Sequence, residues 1–271
     1  MKKIALITGG SSGIGKAIAL HLFQKGYKVY VTSRKATAKS SEGLHYLQMD
    51  VNNSESVIEA VNTLKAEEKR IDVLINSAGI GIIGSIEELP IDTVKEVFET
   101  NFFGLTRVCQ AVAPIMRAQG SGHIINISSI AGEAGLPFRG HYSASKFAVE
   151  GMTEALRMEL MPFGVKVCII QPGDFNTNIS QHRKGIEVDR SSPYYEMLQV
   201  VNDEIANGME TAPTPERVGP FTEKILNSNS PNLRYRVGAL LETITPILKK
   251  FLPYKTYEKL IMNHYKMNQK K

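Results

Sequence analysis

Cysteine is scarce: the chain of 271 residues holds two, Cys109 and Cys168. Two cysteines cannot build a disulfide framework. Each sits inside an apolar run, so they read as buried free thiols of a protein from a reducing compartment. Long apolar stretches are lacking as well, and none approaches the roughly 20 residues needed to span a bilayer. The opening run Ile4-Ala5-Leu6-Ile7 stops at Thr8-Gly9-Gly10, too short for the apolar part of an export signal. These absences predict a cytoplasmic protein. His, Cys, Asp and Glu nowhere cluster at ligand spacing, so no metal site is expected.

An excess of positive charge is missing from most of the chain. Residues 233–271 carry nine Lys/Arg and two Glu, a net of +7, whereas everything before them sums to −2. The basic character is therefore a property of the tail. A nucleic-acid-binding body would carry its basic stripe on the fold itself, so nucleic acid is not an expected partner.

What is present is an alternation. Short β-branched runs at 3–7, 28–32, 45–49, 73–76, 123–128, 165–170 and 234–237 are separated by segments of helical period. The helical segments lie at 13–24, 54–68, 91–118, 143–161 and 215–227. This is the pattern of repeated βαβ units and a parallel sheet, whose strands are apolar throughout because helices cover both faces. The reading gives one α/β domain over residues 1–238. Two regions break the rhythm. Residues 176–215 form too long a connection to be merely structural, and Tyr194, Tyr195, Met197, Leu198, Val200 and Val201 make them apolar enough to cover a substrate. Residues 239–271 form a basic helical extension. There Thr245-Pro246 reads as an N-cap followed by proline at the first helical position, and Pro253 ends the segment. That extension either packs back over the fold or lies on a membrane surface.

Thr8-Gly9-Gly10-Ser11-Ser12-Gly13-Ile14-Gly15 follows the first strand and opens a helix. Glycines permit the tight turn and a close backbone approach, and the helix N-terminus offers free N–H groups to a pyrophosphate. Further on, Tyr142 and Lys146 stand four residues apart, on one face of a helix. A phenol has a pKa of about 10, and a neighbouring ammonium favours its ionised form. Ser129 follows the run Ile124–Ile127, where side chains emerge at the carboxyl edge of the sheet, the usual ligand edge of open α/β folds.

Together these motifs resemble the short-chain dehydrogenase/reductase family, classical subgroup, over roughly residues 3–180. The resemblance implies a Rossmann-type doubly wound parallel sheet of about seven strands in the order 3-2-1-4-5-6-7, flanked by helices. It implies Tyr142 as proton donor or acceptor and Lys146 as the group that lowers the tyrosine's pKa and holds the nicotinamide ribose. Ser129, thirteen residues before Tyr142, would bond the substrate oxygen, and Asn101 would kink its helix and anchor a relay water. For the cofactor it implies Gly9, Ser11, Ser12, Gly13, Ile14 and Gly15 at the pyrophosphate and Asp50 and Val51 at adenine. The segment Asn76-Ser77-Ala78-Gly79 matches a family motif that contributes Asn76, Ala78 and Gly79. Pro172, Gly173 and Thr177 would lie over the nicotinamide.

NAD-preferring relatives place an acid near the end of the second strand. Here Ser33 and Arg34 occupy that region, and no carboxylate occurs from Tyr30 through Ser41. Arginine suits a 2′-phosphate, so NADP(H) is the expected cofactor. The stretches around Leu136–Phe138 and Ser145–Gly151 resemble hydroxysteroid and retinol dehydrogenases, which implies a hydrophobic ketone, aldehyde or secondary alcohol as substrate. The alternative is a reductase of 3-oxoacyl thioesters on an acyl-carrier protein. A non-catalytic NADP-binding sensor ranks below both, since all four of Asn101, Ser129, Tyr142 and Lys146 are kept. Family members are mostly homodimers or homotetramers.

Overall fold

The computed structural model describes residues 2–35, 40–176, 184–185 and 190–268. Seven parallel strands form the main sheet: β1 (Ile4–Thr8), β2 (Lys28–Ser33), β3 (Leu44–Gln48), β4 (Val73–Asn76), β5 (Gly122–Ile127), β6 (Val165–Pro172) and β7 (Arg234–Val237). Their order is 3-2-1-4-5-6-7, with a two-residue antiparallel strand, Ser40–Ser41, added beyond β3. The expected doubly wound topology is present. A separate two-residue pairing joins Ile82–Ile83 to Lys184–Gly185.

The central strands β1, β4, β5 and β6 are mostly apolar because both faces are buried, and alternate residues serve opposite cores, whereas β3 and β7 toward the edges are only partly buried. In β1, Ile4 and Leu6 join the core formed with Leu74, Ile124 and Val167, under helices α2 (Ser54–Glu68), α4 (Leu105–Gln119) and α5 (Gly140–Leu160). Ala5 and Ile7 join the opposite core with Val29, Ile75, Ile125 and Ile170, under α1 (Gly13–Gln24) and α7 (Val218–Leu226). Leu74 is completely buried. Truncating such a side chain to alanine costs roughly 2–5 kcal/mol.

Two readings of the sequence are corrected and a third is filled in. The helix expected over 91–118 is two helices, α3 (Ile91–Phe98) and α4, joined by a π-helical turn at Glu99–Gly104. The apolar period runs on through the turn, so periodicity alone could not reveal it. The long connection before residue 215 contains a helix, α6 (Tyr195–Thr211), whose Leu198, Val201, Ile205 and Met209 are buried. In the tail, α8 (Leu240–Phe251) starts five residues before Thr245, leaving Pro246 inside the helix. Glu242 supplies its start: the carboxylate accepts the Ala239 N–H at 3.1 Å. A further helix, α9 (Tyr254–His264), follows Pro253.

The tail packs back over the fold. Tyr257 and Tyr265 are buried with Val201, Ile205 and Met209 of α6 and with Ala131, Ala134 and Leu136. Lys266 pairs with Glu204 at 2.5 Å. Among the described residues, no helix is long and apolar enough to cross a membrane.

Candidate active site

The singled-out residues gather along the carboxyl edge of the sheet. Thr8, Ser33, Asn76 and Pro172 end β1, β2, β4 and β6; Asp50 follows β3 and Ser129 follows β5. This is where open α/β sheets hold ligands.

Ser129 is extended and caps a 3₁₀ turn, Ile130–Gly132. Its Oγ accepts the Ala131 N–H at 3.1 Å and reaches the Pro172 carbonyl at 3.5 Å. That pins the hydroxyl between the ends of β5 and β6. Helix α5 begins at Gly140, three residues before the expected Ser143, so Tyr142 and Lys146 both sit on its opening turns. The Lys146 ammonium is 5.8 Å from the centroid of the Tyr142 ring and donates to the Ile127 carbonyl at 3.0 Å. Lys146 is buried, and burial lowers its pKa to about 8 against the opposing pull of the Glu150 carboxylate.

Asn101 lies fully buried in the π-turn. Its Nδ2 donates to the Ile80 carbonyl at 3.0 Å and to Ser145 Oγ at 3.1 Å, while its Oδ1 accepts the Ile80 N–H at 2.8 Å. One amide therefore ties the segment after β4 to helix α5. A Cβ placed on Gly79 would lie 3.2 Å from Asn101 Oδ1 and 3.7 Å from Lys146 Nζ. Gly79, Asn101 and Lys146 thus converge on one point.

On the side expected for the nucleotide, Gly9 and Gly13 have φ of +63° and +52°, which L side chains rarely adopt. A Cβ on Gly9 would fall 2.8 Å from Ala78 Cα, and one on Gly15 would fall 2.6 Å from the Gly9 carbonyl oxygen. The turn between β1 and α1 is thereby packed directly against the Ala78 segment. Thr8 Oγ1 fastens the two by accepting the N–H groups of Ser77 and Ala78 at 3.1 and 3.2 Å. Ser12 stands at the N-cap in an extended conformation with no side-chain cap bond, and the first turn of α1 contains no acid. The opening of α1 with its exposed Ser11 and Ser12, beside Ile14, suits an anion.

Asp50 Oδ1 accepts the Asn52 N–H at 3.0 Å, and the buried Val51 packs where a Cβ on Gly104 would collide with it. Asn76 turns its side chain inward, donating to Asn126 Oδ1 at 2.9 Å and to Cys109 Sγ at 3.2 Å. Arg34 is exposed just past β2, beside Ser33. Gly173 donates its N–H to the Val237 carbonyl at 2.8 Å. Thr177 lies outside the described residues.

Two contributors were missed by sequence reasoning. Glu242 reaches from α8 to the loop after β6, where Oε1 accepts the Asp174 N–H at 3.2 Å. Arg139, at the start of α5, is buried against the Tyr265 ring, 5.6 Å from its centroid, bonds the Tyr265 hydroxyl, and stands 3.7 Å from Asp174. Glu242 falls outside the helix that Thr245-Pro246 suggests, because the N-cap is Ala239, six residues earlier. Arg139 left no local signal, since its partners lie far along the chain. Among the described residues, no group of three or more His, Cys, Asp or Glu could hold a metal ion.

Residues 3–186 match the model of the short chain dehydrogenase family. The chain belongs to that family. It is an oxidoreductase by membership, and relatives covering nearly all of it bear this out. The 3-ketodihydrosphingosine reductase of Bacteroides thetaiotaomicron is 43% identical over 256 residues, 93% of each chain. The 17-beta-hydroxysteroid dehydrogenase type 1 of Homo sapiens is 35% identical over 254 residues, covering 86% of this chain and 77% of that one. Among solved structures, ElxO with NADP bound superposes with a TM-score of 0.73 at 28% identity, covering 88% of this chain and 96% of its own. The expected resemblance to hydroxysteroid dehydrogenases is thus matched by a relative of that kind.

Proposed function

We propose that the chain is an NADP(H)-dependent reductase of hydrophobic ketones with a long aliphatic portion, working through Tyr142, Lys146, Ser129 and Asn101. One observation carries the substrate class. An apolar cluster from α6, α9 and the 131–138 segment, with Leu136, Val201, Ile205 and Tyr257 among its members, extends to the Tyr142 ring. An apolar wall beside the proton donor suits a substrate that is greasy next to its carbonyl. The 43% identity to a reductase of a 3-keto sphingoid base supports an aliphatic rather than a steroidal ketone.

The residues fit the cofactor. The glycine cradle against Ala78, the acid-free opening of α1 and the exposed Arg34 suit a pyrophosphate and a 2′-phosphate. NADP bound to the ElxO neighbour supports the same choice. Gly9 through Gly15 would hold the pyrophosphate, Arg34 and Ser33 the 2′-phosphate, Asp50 and Val51 the adenine, and Pro172, Gly173 and Thr177 the nicotinamide. When bound, NADPH supplies the hydride.

The protein's own groups manage charge and protons. Tyr142 donates its phenolic proton to the carbonyl oxygen as negative charge develops there. The Ser129 hydroxyl, its oxygen held by the Ala131 N–H, turns its one proton from the long 3.5 Å contact with the Pro172 carbonyl to the same oxygen. Lys146 keeps positive charge beside the phenol; with a pKa of about 8 it can also return a proton near neutral pH. Asn101 fixes Ile80 and helix α5 relative to each other, which holds Lys146 in register. A homo-oligomer of the family's usual kind would seat on the exposed faces of the long helices α4 and α5.

The test is NADPH oxidation with three carbonyls: 3-ketodihydrosphingosine, a 17-ketosteroid and a 3-oxoacyl thioester. Turnover of the first, with a kcat/KM at least about tenfold above the others, is expected from extra apolar burial. A preference for the thioester would replace this substrate class with the acyl-carrier reading.

A further inference from the structure

Helix α8 is amphipathic in the wrong sense for a helix packed on a protein core. At 100° per residue, Leu240, Leu241, Ile244, Ile247, Leu248 and Phe251 share one face, while Glu242, Pro246 and Lys249 lie opposite. The polar face is the docked one. Glu242 bonds the Asp174 N–H, Pro246 is buried, and Lys249 donates to the Glu133 carbonyl at 2.8 Å with its ammonium over the Phe147 ring. The apolar face points away from the protein, with Leu240 78% exposed, Leu241 61% and Phe251 81%, Ile244 and Leu248 half-buried, and Tyr254 at the start of α9 65% exposed. Such a contiguous exposed patch marks an interaction surface.

The charge around the patch identifies its occupant. Lys255 and Lys259 are exposed on the neighbouring α9 with one exposed acid, Glu258, between them; Lys250 is exposed on α8 while pairing with Glu133 at 3.5 Å, and the one acid on α8, Glu242, is turned inward. A second copy of this chain docking by the same patch would bring like charges together, because a twofold contact pairs a surface with itself. Exposed leucine, isoleucine and phenylalanine rimmed by lysine suit anionic headgroups and the acyl boundary below them. We propose that the outer face of α8, with the start of α9, docks this protein on the surface of an anionic lipid bilayer. The site is peripheral and reversible, and the helix that carries it fastens the loop after β6 through Glu242 on its other face. The inference does not depend on which ketone is reduced.

Co-sedimentation of the full chain with phosphatidylcholine vesicles, with and without 30 mol% phosphatidylglycerol, tests it. Wild type is expected to partition onto the anionic vesicles, less so as salt rises. L240E/F251E should bind at least about tenfold more weakly, and K255E/K259E should lose the dependence on anionic lipid. Both pairs are exposed, so thermal melting and turnover of a water-soluble carbonyl should match wild type. Equal binding to neutral and anionic vesicles, or binding to neither, overturns the proposal. A fall in oligomeric mass of L240E/F251E by light scattering also overturns it, since the patch would then be a contact between copies.

Discussion

Glu242 Oε1 accepts the Asp174 N–H at 3.2 Å while its Oε2 accepts the Ala239 N–H at 3.1 Å, so one carboxylate joins the C-terminal extension to the loop after β6. Burial, and then the negative charge of Asp174, push its pKa above the usual carboxylate range. Glu242→Ala leaves the part-buried Asp174 N–H without an acceptor, a cost of roughly 1–3 kcal/mol, while the exposed Ala239 N–H turns to water. The variant is expected to melt earlier and to bind NADPH about tenfold more weakly, the equivalent of about 1.4 kcal/mol. Glu242→Gln, whose single carbonyl oxygen can accept only one of the two N–H groups, should recover only part of the loss. Fluorescence titration with NADPH checks this, and unchanged affinity in the alanine variant would count against the clamp.

Lys146 makes stability depend on alkaline pH. Burial lowers its pKa from 10.5 to about 8. Below pH 8 folded and unfolded chains both hold the proton, so the penalty for burying the charge is constant. Between about 8 and 10.5 only the unfolded chain holds it, and stability rises with pH. Over that window the gain is on the order of 3 kcal/mol. Urea denaturation of the cofactor-free protein at pH 7.5, 9 and 10 should show this rise relative to Lys146→Met. Parallel pH profiles in the two proteins would contradict it.

The thiols should be inert in the native state. Burial pushes Cys109 up to about 12 and Cys168 to about 11, leaving almost no thiolate at neutral pH. Neither should react with an aromatic disulfide reagent until the protein unfolds. Rapid stoichiometric labelling at pH 7.5 would show that the cores open readily.

Asn101 is expected to be the most sensitive positioning residue. Asn101→Ala strips both the N–H and the carbonyl of Ile80 of their partners and removes a bond to Ser145. Stability should fall by roughly 2–4 kcal/mol. In a reaction set by Lys146 and Tyr142, kcat should fall more than KM rises. Asn101→Asp restores the acceptor for the Ile80 N–H but not the donor, so it should recover only part of the loss.

The sheet is legible because its central strands are buried on both faces and punctuated by helical segments, a pattern that survives without tertiary information. The order 3-2-1-4-5-6-7 came with the family resemblance, which Tyr142, Lys146, Ser129 and the Gly9–Gly15 turn carried. What the sequence hid depends on contacts distant along the chain. The π-turn at Glu99–Gly104 keeps an apolar period, and its distinguishing feature is the pairing of Asn101 with Ile80. Thr245-Pro246 reads as the start of α8 because proline usually marks a first turn. Its true start is set by Glu242, which also reaches Asp174. The buried Arg139 could not be seen at all, since its partner Tyr265 lies 126 residues away.

The most direct test of the account is Tyr142→Phe, with NADPH binding and carbonyl reduction measured on the same preparation. The ring keeps its packing against Lys146 and the apolar cluster, so NADPH affinity and melting temperature should stay close to wild type. Without the proton donor, kcat should fall by about 10²–10⁴. Retention of wild-type turnover would contradict the assignment of Tyr142, and with it the reading of this edge of the sheet as the catalytic centre.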